Sequence, residues 1–239
     1  MADQEVIKHT KLIYKIWNSK EHSFWHKAKE FVVEILIIVF AVSLSIWLHG
    51  RSEHSHQSAE VKSFLLGMKQ DLLNDIKEME ADQQMFLKSK DAFIYVRSLK
   101  KGQPAQQDSI DKYNRYLFNE TGLVANNGRF EGFKSSGKIG TIENLKIQNE
   151  LTDLYQENIP TLVLYTNYYS RKKGALSIYF DQHLVRHTSG GDNFLALFSR
   201  DEVFNMGRDL VQVHNIVAQY DKCINNMKSI IAEIDKDYQ

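Results

Sequence analysis

FVVEILIIVFAVSLSIWL, residues 31–48, is the stretch on which the reading of this 239-residue chain turns. Its eighteen residues carry one charge, Glu34, and apolar side chains fall on every helical face. At ~1.5 Å rise per residue the stretch covers about 27 Å, close to the ~30 Å hydrocarbon thickness of a bilayer. Trp25 and Trp47 stand where an interfacial aromatic belt would lie. A buried core helix is the competing reading, but such helices seldom run five turns without a polar face. A cleaved signal peptide fits less well, because the apolar run exceeds the usual ~7–15 residues and no small-x-small cleavage site follows. The stretch reads as an uncleaved anchor, with the lipid bilayer as its partner.

Working outward, residues 1–30 contain six lysines, Lys8, Lys11, Lys15, Lys20, Lys27 and Lys29, whereas residues 49–65 contain only Arg51 and Lys62. By the positive-inside rule the N-terminus is cytoplasmic and residues 49–239 lie outside, which in a two-membrane bacterium means an inner-membrane anchor and a periplasmic domain. Val6, Ile7, Leu12, Ile13, Ile16 and Trp17 alternate with lysines, as in a short basic helix lying in the headgroups. An unstructured basic tail is the other reading. Either way, about 30 residues are too few for a cytoplasmic output domain.

Composition closes off several classes. Thirty Lys+Arg balance thirty Asp+Glu, so no net field draws nucleic acid, and none is expected as a partner. Two prolines and twelve glycines argue against a sandwich, a barrel or a disordered linker. A single cysteine, Cys223, excludes an intrachain disulfide framework and a Cys-rich metal site, and is compatible with the periplasm.

Beyond the apolar stretch the periodicity is helical. Leu65, Leu72, Met79, Phe86 and Phe93 recur every seventh residue, widened at the start by Val61, Met68 and Ile76. This predicts a helix near 59–99, compatible with continuation from the span and ended by Gly102-Gln103-Pro104. Near 200–237 a second long helix is expected, opened by a Ser199/Glu202 capping box. Val203, Met206, Leu210, Val213, Val217, Tyr220, Ile224, Met227, Ile231, Ile234 and Tyr238 follow 3-4 alternation, a coiled-coil-like seam. Its partner is the 59–99 helix, another subunit, or both. Between them, residues 109–118 read as a short helix, 119–128 as a polar loop, and 130–136 as a helical turn closed by Gly137. Residues 143–158 read as a helix, and Pro160 starts or kinks the next, which carries Leu162, Tyr165, Tyr168, Tyr169, Leu176, Tyr179, Phe180, His183 and Leu184. No alternating run supports a sheet. The expected fold is all-α: one N-terminal transmembrane helix, then an elongated antiparallel helical bundle.

Few groups hint at chemistry. Gly132-Phe-Lys-Ser-Ser-Gly137-Lys138-Ile139 comes within one residue of a phosphate-binding loop, but Ile139 replaces the Mg²⁺-binding hydroxyl and no buried strand precedes it. Helix termination at Gly137 explains it more simply. His49, Glu53 and His56 fall at i, i+4 and i+7 and are weak metal candidates beside a solvated reading. His183 and His187 lack the Glu of a zinc-protease helix, so a packed histidine is preferred for His183. Glu34, one turn inside the span, suits a snorkelling carboxylate, an interhelical contact or an ion path. Tyr165, Tyr168, Tyr169, Tyr179 and Phe180, beside Arg171, Lys172 and Lys173, suit core packing or, more sharply, a small-molecule pocket. No catalytic arrangement stands out, and no cofactor is expected.

Val33-Glu34-Ile35-Leu36, Trp47, Leu65-Leu66-Gly67-Met68-Lys69-Gln70-Asp71-Leu72, and Phe133-Lys134-Ser135-Ser136-Gly137 occur in that order, followed by Asn149-Glu150-Leu151 with Tyr155. Over about residues 30–160 this resembles a family of single-pass membrane proteins of Bacteroidota, domain of unknown function 6090. Val33 stands where that family has Gly, and the histidines at 49, 54 and 56 are not part of its pattern. The resemblance implies architecture and location, and no activity.

Together these readings predict a non-catalytic, membrane-anchored scaffold or interaction protein, a homo-oligomer or bound to a membrane or periplasmic partner. The alternatives are a ligand-sensing module and an accessory subunit of a transport or ion-driven complex.

Overall fold

The computed structural model describes residues 11, 14, 15 and 24–238, the side chains of 24, 26 and 27 excepted. Val6, Ile7, Leu12, Ile13, Ile16, Trp17, Lys8 and Lys20 lie outside the described residues, as does the side chain of Lys27, so the amphipathic pattern expected near the N-terminus does too. The fold is all-α, with no strand among the described residues and one isolated antiparallel bridge, Arg186 to Asp192. The chain divides into two compact units, Met1–Glu60 and Val61–Gln239.

Helix α1 (Phe24–Ser98) has 75 residues and contributes to both units. The helix expected near 59–99 therefore has no N-terminus of its own. Residues 49–60 contain no proline, and the lone Gly50 costs a helix only about 1 kcal/mol, too little to end it. In the first unit the apolar stretch 31–48 is long and apolar enough to cross a membrane, and none of its most apolar window is buried.

The second unit follows α1 with α2 (Gln107–Phe118), α3 (Gly128–Ser135), a 3₁₀ turn (Ile139–Thr141), α4 (Leu145–Asp153), a π-turn (Leu154–Asn158), α5 (Ile159–His183), α6 (Phe194–Leu197), α7 (Asp201–Leu210) and α8 (His214–Tyr238). Its centre is a three-helix bundle. The α7–α8 segment runs antiparallel to α4–α5 at nearly constant register, from Asn144 with Asp237 (2.7 Å), through Glu150 with Ser229 (2.9 Å) and Tyr169 with Leu210 O (3.1 Å), to Tyr179 with Glu202 (3.3 Å). It is also antiparallel to α1: Lys69 pairs with Asp235, Lys228 with Glu80 (3.3 Å), and Gln83 with Asp221 (2.7 Å), while Arg97 lies over Phe204 (4.7 Å). Phe86 meets Tyr169 edge-on at 5.2 Å and joins α1 to α5. Helices α2 and α3 add aromatic contacts, Phe118 on Phe180 (5.3 Å) and Phe133 stacked on Phe64 (3.8 Å).

This arrangement settles which stripe is buried. Of the expected seam, Val203, Leu210, Val213, Tyr220, Ile224, Met227 and Ile234 are buried, and Met206, Val217, Ile231 and Tyr238 pack partly buried against the core. Ile216, Cys223 and Ile230 are buried as well. The stripe is therefore wider than a two-helix seam, because α8 is covered by α1 on one side and by α4–α5 on the other.

Two local expectations need correction, and a third, at Pro160, holds with a local refinement. The helix near 200–237 is two helices: α7 ends at Leu210 and α8 begins at His214. The Leu210 carbonyl, unsatisfied at a helix end, accepts the Tyr169 hydroxyl, while Val213 N–H donates to Val211 O (3.1 Å). The Ser199/Glu202 capping box does not form. Ser199 Oγ donates to Ala196 O (3.1 Å), Glu202 accepts the Tyr179 hydroxyl, and the N-cap position belongs to Arg200. Pro160 stands in the first turn of α5, as expected of a helix start: the π-turn precedes it, with Ile159 N–H donating five residues back to Leu154 O. The wider turn makes room for the ring and for the hydrogen bond Pro160 cannot donate.

Candidate functional site

Where α7 gives way to α8, the chain opens a cleft of about 490 Å³ against α5. One wall is a single face of α5, with Leu164, Tyr165, Tyr168, Tyr169, Arg171 and Lys172 at helical spacing. The other comes from the end of α7 (Asp209, Leu210), the connection (Gln212), and the first three residues of α8 (His214, Asn215, Ile216). That last group sits at the positive end of a helix dipole. Of the aromatic stripe, Tyr165, Tyr168 and Tyr169 line this cleft, and Tyr179 and Phe180 do not. Tyr179 and Phe180 are buried, with Phe180 packed in an aromatic cluster with Phe118, Phe194 and Phe198.

The cleft's charges are unequal. Asp209 accepts from Lys172 Nζ (3.2 Å) and Arg208 Nε (3.2 Å), and these hydrogen bonds hold its carboxyl below the usual carboxylate range. The same contact to Asp209 raises Lys172, whose ammonium also lies 5.5 Å from the Tyr168 ring centroid. Arg171 has no ion pair among the described residues, so positive charge is in excess at this wall.

A second polar feature lies in the core. Lys173, 4 % exposed, donates to Asn119 O (2.5 Å) just past α2 and to Ser89 Oγ (3.4 Å), while Ser89 donates to Tyr116 O (2.9 Å). Lysine and serine together satisfy carbonyls at the α2 C-terminus. Burial lowers the Lys173 ammonium to about 8. Thr166, Tyr169, Lys173, Leu176 and Phe180 follow 3-4 alternation, the signal that marks Lys173 as inward-facing despite its charge. On α1, Asp75 is buried and accepts from the backbone (3.2 Å) and side chain (2.5 Å) of Asn126; burial pushes its carboxyl up against those bonds.

The remaining sequence candidates have structural placements. His49, Glu53 and His56 are exposed, and no three His, Cys, Asp or Glu groups among the described residues are placed to hold a metal ion. His183 is a packed histidine, Nδ1 at 2.8 Å from Tyr179 O and its ring stacked on Tyr179 at 4.1 Å. His187 is exposed. The Gly132–Gly137 run is the end of α3. Gly137 takes φ +74°, Gly137 N–H bonds Lys134 O (2.9 Å) and Lys138 N–H bonds Phe133 O (3.2 Å), a Schellman terminus and not a phosphate loop. Trp25 and Trp47 are exposed, with Arg51 over the Trp47 ring at 5.7 Å. Glu34 is half-buried among exposed neighbours.

Compared with known proteins, the chain matches no family model, no curated protein and no solved structure.

Proposed function

We propose that this chain is a single-pass, inner-membrane-anchored protein whose helical unit from Val61 onward is a non-catalytic scaffold or interaction module in the periplasm. The observation that carries this reading is the contrast in burial along α1. Thirteen large apolar side chains between Phe31 and Leu48 are exposed. At ~1.5–3 kcal/mol for each such side chain, leaving them in water costs on the order of 20 kcal/mol, more than the ~5–15 kcal/mol net stability of a typical domain. A bilayer removes that cost. Orientation rests on the lysines before the span. A membrane-impermeant amine reagent on spheroplasts should label lysines beyond residue 61 and spare those before residue 30. The reverse pattern would overturn the orientation.

Self-association belongs to this proposal, but not through the 203–234 stripe, which the chain covers itself. It would run through the span or another face of the helical unit. Crosslinking in intact membranes should trap a dimer or larger species, and monomer alone would remove this part of the reading.

The cleft beside Tyr165 and Tyr168 favours a second reading, a ligand-sensing module. Its volume lies within the ~300–1,000 Å³ of small-molecule sites, and aromatic rings share its walls with polar and charged side chains such as Arg171, Lys172, Asp209 and Asn215.

A further inference from the structure

We infer that the cleft between α5 and the α7–α8 junction binds an organic anion with a flat aromatic or apolar body, an inference that rests on the ligand-sensing reading and names its ligand class. Shape and charge both point this way. Tyr165 and Tyr168 are partly exposed on one wall, so a planar body can lie against their rings. Water held against those surfaces is released when such a body enters.

The charged end is set by what is already paired. Asp209 is the acidic group of the cleft, and Lys172 and Arg208 both hold it at 3.2 Å. A cationic ligand would have to compete with two fixed cations for that carboxylate. Arg171 lines the same wall with no ion pair among the described residues, and its planar fork matches a carboxylate or phosphate. The start of α8 faces it across the cleft and favours the same sign of charge. The cleft lies beside the point where Tyr169 and Lys172 tie α5 to the end of α7, so an occupant bridges two helices that already meet there.

The test uses the full chain in lipid nanodiscs, titrated calorimetrically with 2-naphthoate, with uncharged 2-naphthalenemethanol and with inorganic phosphate. Naphthoate should bind saturably with a Kd on the order of 1 mM or tighter. It should bind at least about tenfold more tightly than the alcohol or phosphate, since only naphthoate supplies both the body and the charge. Arg171→Gln should weaken naphthoate about tenfold and leave the alcohol unchanged, and Tyr168→Ala should weaken both organic probes. Both residues are exposed, so neither change removes a core contact; an unchanged melting curve confirms that the variants fold. Equal binding of naphthoate and alcohol, insensitive to Arg171→Gln, overturns the anion class while leaving the cleft a binding site. No saturable binding of any probe overturns the ligand-sensing reading as well.

Discussion

Two stretches of one helix solve the same problem in opposite ways. Residues 31–48 of α1 are apolar all round and exposed; residues 61–98 are apolar along one stripe, and that stripe is buried to the last methionine and phenylalanine. Leu65, Met68, Leu72, Met79 and Phe93 are fully covered by α3–α5 and α7–α8 of the same chain. The difference teaches that apolar content alone does not say what covers a helix. Angular distribution does: a stripe has one direction in which to be satisfied, and a continuous apolar sleeve has all of them.

The largest effect comes from breaking this contrast directly. Leu72→Ala removes a fully buried side chain from the stripe and should cost about 2–5 kcal/mol of unfolding free energy. Leu36→Ala, the same chemical change in the sleeve, should leave the unfolding of the Val61–Gln239 unit within about 0.5 kcal/mol of the parent. Denaturant unfolding in detergent micelles, followed by tyrosine fluorescence, compares the two. An equal loss from Leu36→Ala would mean that residues 31–48 belong to the folded core.

Both stretches were legible in the sequence because each repeats over several turns. Leu65 to Phe93 at seven-residue spacing and Val203 to Ile234 at 3-4 spacing name buried faces correctly. The interruption at residues 211–213 was not legible. Val211, Gln212 and Val213 include no glycine or proline, and the alternation runs through them unbroken. The helix stops there in company with a tertiary partner, the Tyr169 hydroxyl on Leu210 O. The cleft follows from that interruption, so the aromatic stripe pointed to its neighbourhood while its second wall stayed hidden. Lys173 was obscured differently: its charge outweighed a position that shares the face of Tyr169, Leu176 and Phe180. Ile216, Cys223 and Ile230 were missed because a two-helix seam is narrower than the face that three packed helices require.

Lys173 of α5 sharpens the comparison, since the core against which the α1 stripe packs holds a charge that the exposed sleeve avoids in its middle. Its ammonium, normally near 10.5, is lowered by burial to about 8. Below pH 8 it is protonated in folded and unfolded chains alike, and the folded state carries the full burial penalty. Between about 8 and 10.5 the folded lysine has lost its proton while the unfolded one keeps it, so the unfolded state binds more protons and stability rises with pH. The gain amounts to about 3 kcal/mol when complete. Lys173→Met lacks this term but keeps the tyrosines and Cys223, whose own titration cancels in the difference. The stability of Lys173→Met minus that of the parent should therefore fall across pH 8–10.5. A difference flat with pH would show that Lys173 reaches solvent in the folded protein.

The smallest effect uses the two glycines that interrupt neither stretch of α1. A Cβ at Gly50 meets nothing within 4 Å, whereas one at Gly67 falls 2.4 Å from the Arg129 guanidinium. That guanidinium bonds Asp71 at 2.8 Å, so Gly67 is the gap through which Arg129 reaches its partner. Gly67→Ala gains about 1 kcal/mol of helix propensity. It must also displace the flexible end of Arg129, and the partly exposed ion pair it disturbs contributes up to about 1 kcal/mol. The two nearly cancel, and the parent background should show a net change within about 0.5 kcal/mol. In an Arg129→Met background, where the side chain has no carboxylate to reach and can swing clear, the same substitution should show most of its helical gain. A double-mutant cycle on denaturant midpoints measures the coupling. Zero coupling would mean that Arg129 does not rest on Gly67, and that this glycine is as unconstrained as Gly50.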